Sequence, residues 1–137
     1  MLESHKPDAP CTILSGDVLM EDMCARLTGL GYDVTSCVFL TDVAGVYDKT
    51  PTPGTKANLL PTLLVNAYGS IRNLPITSTK SHDVTGGILA KLTTAARIAA
   101  SGIPVRIVQV ASRHAGTAMA GKVPAVGSTL LLENDFY

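Results

Sequence analysis

Two short apolar runs flank a segment of helical period, and that arrangement constrains the fold more than any other feature. Residues 11–14 (Cys-Thr-Ile-Leu) read as a buried strand, and residues 34–40 as a second. Between them, apolar side chains fall at 19, 20, 23, 24, 27 and 30, the spacing of one helix face. Ser15-Gly16-Asp17 punctuates the entry to this helix, and Gly29 and Gly31 offer its stop. Strand, glycine turn, helix, strand is the unit of a parallel sheet, because parallel neighbours need a crossover connection.

The rest of the chain continues the alternation. Residues 41–55 form a loop rich in Asp, Gly and Pro. Residues 59–67 are apolar but contain Pro61 and read as a third strand, followed by a turn at Tyr68-Gly69-Ser70. Residues 71–82 are weakly patterned. Gly86-Gly87 opens the best helix, over 86–101, which Gly102 and Pro104 close. Residues 105–110 are β-branched, with Arg106 and Gln109 as polar alternates; 113–121 suit a short helix, and 129–132 a closing strand. We expect a flexible lead-in over residues 1–9 and one α/β unit over 10–137 with a mainly parallel sheet. A chain of 137 residues suits a single core.

Composition narrows the function classes. Eleven basic residues balance eleven acidic ones, so no global field favours nucleic acid. Aromatics are 4% with no Trp, which leaves little for base stacking. No window is apolar enough to span a membrane, and the N-terminus has no signal core, so a soluble cytoplasmic protein is the expectation. Cys11, Cys24 and Cys37 match no metal motif and read as small buried residues. His5, His82 and His114 are too far apart for a helical metal pair, so no metal ligands are assigned.

Three glycine turns carry what chemistry the residues suggest. Ser15-Gly16-Asp17 joins a strand to a helix, Thr41-Asp42-Val43-Ala44-Gly45 follows a strand, and Asp83-Val84-Thr85-Gly86-Gly87 precedes a helix with Lys91 one turn in. Glycine lets backbone approach an anion, helix N-termini offer free N–H groups, and a lysine there can neutralise a phosphate. A Gly-Gly pair also serves as a plain turn and Lys91 as a solvated lysine, and the Walker A spacing is missing. Tyr47 could flank a nucleobase or pack under its loop.

In order, these motifs resemble the C-terminal half of the amino acid kinase superfamily, from about residue 11 to 132. The segments that carry the likeness are Ile13-Leu14-Ser15-Gly16-Asp17, Phe39-Leu40-Thr41-Asp42-Val43-Ala44-Gly45-Val46-Tyr47, Asp83-Val84-Thr85-Gly86-Gly87-Ile88-Leu89-Ala90-Lys91 and Gly127-Ser128-Thr129. Within the superfamily the likeness is nearest the branch that acts on isopentenyl phosphate. Ile88 stands where that branch carries Met, and 56–80 matches poorly.

The resemblance implies a three-layer α/β sandwich with a mainly parallel sheet, and ATP-dependent transfer of a phosphoryl group to isopentenyl phosphate, giving isopentenyl diphosphate in isoprenoid biosynthesis. It implies Lys91 and Asp17 as the catalytic pair, with Asp17 orienting lysines by charge. Thr41, Asp42, Tyr47, Gly86, Gly87 and Lys91 would line the ATP site, and Gly16 would lie near the substrate phosphate. Mg²⁺ would be held mainly by the nucleotide phosphates. The expected partner is a small phosphate substrate, with room for a homodimer in the full-length form. Family members are about twice as long, and their N-terminal Lys-x-Gly-Gly-Ser half has no counterpart here. The expectation is therefore a truncated, nucleotide-binding half that is inactive alone. The alternatives are another small-molecule kinase of the superfamily, a non-catalytic nucleotide-binding module, or a fragment without function.

Overall fold

The computed structural model describes residues 14–49, 54, 56–72 and 86–133. Its elements are α1 (Gly16–Gly29), β1 (Cys37–Thr41), β2 (Thr62–Val65), α2 (Gly86–Ala100), β3 (Val105–Gln109), α3 (Arg113–Met119) and β4 (Ser128–Leu132). The strands form one sheet in the order β1-β3-β4-β2. β1 pairs parallel with β3 and β2 parallel with β4, and an antiparallel seam between β3 and β4 joins the two pairs. The sheet is mostly parallel, as expected, with the seam at its centre.

Local chemistry accounts for the helix ends. Ser15 caps α1, its Oγ accepting from the Val18 N–H at 3.2 Å. Gly31, at φ +92°, ends it: the Gly31 N–H donates to Thr28 O and the Tyr32 N–H to Leu27 O, each at 3.0 Å. This is the reciprocal pair of bonds that satisfies a helix's last carbonyls. Gly121 ends α3 in the same way, with bonds from Gly121 N–H to Ala118 O and Lys122 N–H to Thr117 O. Pro61 precedes β2 directly and costs no ladder bond there.

The core lies between the sheet and α2. Leu92, Ala95, Ala96 and Ala99 form the buried stripe of α2, and three alanines let the helix sit close to Val105, Ile107, Leu130, Leu63 and Val65. On the other face, Ala115 and Ala118 of α3 cover Val108 and the half-buried Val38. The central strand β3 is therefore buried on both faces. Arg106, expected as a polar alternate, is buried as well, and its Nε and Nη1 have no hydrogen-bond partner among the described residues. Its place in the middle of a covered sheet overrides the alternation of its strand.

Two boundaries differ from the sequence reading where the residues are described. Residues 11–13 of the expected first strand lie outside the described residues, as do 1–9 and Cys11; Leu14 is in no strand and is exposed. The second strand begins at Cys37 rather than 34. The apolar face of α1 is present but mostly unburied: only Cys24 is buried, and Met20 is partly packed on the core.

Candidate functional site

Two helices place the first group of residues. Lys91 Nζ of α2 donates to Asp17 Oδ1 of α1 at 3.2 Å, with the side chains 27% and 17% exposed. Farther along, Arg97 Nε donates to Glu21 Oε1 at 3.1 Å. Moving forward along α1 from Asp17 to Glu21 thus moves forward along α2 from Lys91 to Arg97, so the helices run parallel. Their N-termini, opened by Gly16 and Gly86, lie at one end. Two helix N-termini with their positive dipole ends face the same way, with the Lys91 charge beside them. Asp17 sits in the first turn of α1, where a carboxylate is favoured.

Gly16 has no packing reason to be glycine, since a Cβ there would meet nothing within 4 Å. A groove of about 430 Å³ runs between the two helices, lined by Ser15, Asp17, Val18, Leu89, Thr94 and Arg97 among others.

The second group lies on the loop after β1. Thr41 is buried, and its Oγ1 donates to Asp42 Oδ1 at 3.2 Å. Gln109 Nε2 donates to Asp42 O at 3.3 Å, tying the loop to the end of β3. The loop then crosses to β4. The buried Ser128 Oγ accepts from the Val46 N–H at 2.8 Å and donates to Leu60 O at 2.6 Å. A Cβ on Gly45 would stand 2.7 Å from Ser128 Oγ and 3.1 Å from Ser128 N, so only glycine fits. Tyr47, half-buried, bridges Leu59 through the backbone. Beyond it, the Asn58 N–H donates to Asp48 Oδ1 at 2.8 Å and Asn58 Nδ2 to Oδ2 at 3.1 Å. These bonds, the backbone one foremost, hold the Asp48 carboxyl below its ordinary range.

Connectivity puts both groups at one end of the sheet. Only residues 101–104 separate α2 from β3, so α2 must run antiparallel to β3. Its N-terminus, and that of the parallel α1, therefore lie toward the C-terminal ends of β1 and β3, where Thr41 and Asp42 sit. In open α/β sheets that end is where ligands bind. Among the described residues, no hydrogen bond or ion pair joins the Thr41–Asp42–Tyr47 group to the Asp17–Lys91 pair. Gly86 and Gly87 begin α2 as expected, whereas His82, Asp83 and Thr85 lie outside the described residues. Ser128 was in the quoted motifs without a role; its partners lie 68 and 82 residues away, and no local signal points to them.

Comparison with known proteins completes the description. The profile of the "Amino acid kinase family" matches residues 13–109. An "Isopentenyl phosphate kinase" of Arabidopsis thaliana is 38% identical over 122 residues, covering 81% of this chain and 35% of that protein. The crystal structure of an isopentenyl phosphate kinase substrate complex superposes with a TM-score of 0.52 at 22% identity, covering 85% of this chain and 39% of that one. The chain spans little more than a third of the length of either relative.

Proposed function

Because the chain belongs to the amino acid kinase family, we propose that it forms the ATP-binding part of a kinase that converts isopentenyl phosphate to isopentenyl diphosphate. The observation that carries the reading is the Lys91–Asp17 pair at the shared N-terminal end of α1 and α2. The identity to the Arabidopsis relative supports the choice of acceptor.

ATP, when bound, supplies the phosphoryl group, which passes to a phosphate oxygen of the acceptor while ADP leaves. The chain's own groups position and stabilise charge. The backbone N–H groups of Gly86 and Gly87 receive nucleotide phosphate at the start of α2. Lys91 spreads its charge over the transferring group, and Asp17 aims the ammonium. Gly16 leaves room for phosphate at the neighbouring helix start. Thr41 at the end of β1, with Asp42 and Tyr47 on the loop that follows and is fastened to β3 and β4, is suited to hold the nucleoside end. Mg²⁺ would be held by the nucleotide phosphates and would offset their charge. No protein nucleophile is needed.

Titration with a fluorescent ATP analogue tests the reading. The 137-residue chain should bind it weakly, and Lys91→Ala and Gly87→Val should each reduce binding about tenfold or more, through lost charge and a crowding Cβ respectively. Normal binding by both variants would remove the phosphate assignment. Isopentenyl phosphate should not be turned over by this chain alone. Turnover that Lys91→Ala abolishes would overturn that part.

A further inference from the structure

Tyr47 is carried on a very short two-stranded ribbon. Its backbone bridges Leu59 in the antiparallel sense, with Val46 and Leu60 paired on one side and Asp48 and Asn58 on the other. The Leu60 N–H donates to Val46 O at 2.7 Å, and the Asp48 N–H to Asn58 O at 2.9 Å. Tyr47 and Leu59 are therefore the closely spaced pair without bonds between them, and their side chains share one face.

In a regular antiparallel ladder each flanking pair exchanges both of its backbone bonds. Here each exchange is half made, and a side chain takes the other half. At one end the Val46 N–H donates to Ser128 Oγ at 2.8 Å, and that hydroxyl donates on to Leu60 O at 2.6 Å. The hydroxyl stands in the ribbon as a bridging water would. Gly45 leaves the room it occupies. At the other end the Asn58 N–H donates to Asp48 Oδ1 at 2.8 Å, and Asn58 Nδ2 donates to Oδ2 at 3.1 Å. The two clamps differ in kind. Ser128 is fully buried on β4, a strand paired on both sides, whereas Asp48 belongs to the ribbon itself.

We infer that Ser128 and Asp48 are positioning residues: they clamp the two ends of the ribbon, fix the face on which Tyr47 stands, and so govern affinity for the nucleoside end of the nucleotide but not for its phosphates. The inference rests on the proposed function in taking Tyr47 as part of the nucleoside site. The division follows from the layout. The groups proposed for the phosphates stand on α1 and α2, and among the described residues no hydrogen bond joins Asp17 or Lys91 to the ribbon. A shift of the ribbon leaves them in place.

Calorimetric titration of the 137-residue chain with ATP and with inorganic tripolyphosphate tests it. Ser128→Ala leaves the Val46 N–H and Leu60 O without their bridge, and should weaken ATP about fivefold or more. Asp48→Ala frees the Asn58 N–H and should weaken ATP about threefold. Tripolyphosphate should stay within about twofold of the wild type in both variants, whereas Lys91→Ala should weaken both ligands. The effect should run through Tyr47: in a Tyr47→Ala background, Ser128→Ala should change ATP affinity by less than about twofold. Given a wild type that binds ATP, three results would overturn the inference and leave the nucleotide reading standing: equal weakening of the two ligands, unchanged ATP affinity in both variants, or full additivity with Tyr47→Ala. Should Ser128→Ala fail to fold, Asp48→Ala decides by the same comparison. A wild type that binds neither ligand would overturn the nucleotide reading and the inference with it.

Discussion

Helices α1 and α2 have nearly equal lengths, run side by side and share an N-terminal end, yet they are built in opposite ways. α2 meets the sheet with alanines and Leu92 and is buried along its stripe. α1 carries larger apolar residues and leaves most of them in water. Both have helical period, so periodicity alone decides which side of a helix is apolar. Whether that side is covered depends on what the fold places against it. The candidate site draws one member of its ion pair from each helix. Lys91 stands on the anchored helix, and Asp17 on one held by a cap, two ion pairs and a single buried cysteine.

The widest gap between the helices should appear on truncation. Leu92→Ala should cost about 2–5 kcal/mol in chemical denaturation and Leu19→Ala no more than about 0.5 kcal/mol. Similar costs would erase the distinction. The anchor of α1 should show a pH signature. Burial, with Cys24 adding to it, pushes the Cys37 thiol from 9.0 up to about 12. The folded chain then keeps a proton that the unfolded chain releases, so this contribution is intact below about pH 9 and is lost as pH rises through about 12. Melting curves from pH 8 upward should fall more steeply for the wild type than for Cys37→Ala; parallel curves would place the contact elsewhere. Ser15→Ala should cost about 1 kcal/mol through the lost cap, with helicity declining on α1 first by hydrogen exchange. Smallest of all, Arg26→Met removes an exposed pair with Asp22 and should change stability by about 0.5 kcal/mol or less.

The sequence reads well where the signal is local. Gly102 and Gly121 close their helices, Pro61 stands ahead of its strand, and Ser15 caps α1, each within a few residues of its effect. Asp17 and Lys91 were legible as members of motifs, although their contact spans 74 residues. The antiparallel seam was not legible, because a β-branched run reads the same whichever way its neighbour points. Arg106 looked like the polar side of an alternating strand and is instead enclosed, since strand order, which no local pattern records, puts β3 at the centre. The exposed apolar side of α1 obeys the same rule: its period marks the face, but nothing nearby marks the partner.

The serine that pins the β1 loop also sets an order in time. Val46 waits for a hydroxyl 82 residues downstream. On a chain emerging from the ribosome at about 5–20 residues per second, that is a delay of several seconds. Until then the loop bearing Asp42 and Tyr47 lacks its fastening to β4, even if the glycine turns and helices before it are already in place. The loop after β1 is encoded early and finished late, and a chain released before residue 128 would keep the motifs of that loop and lose the shape they depend on.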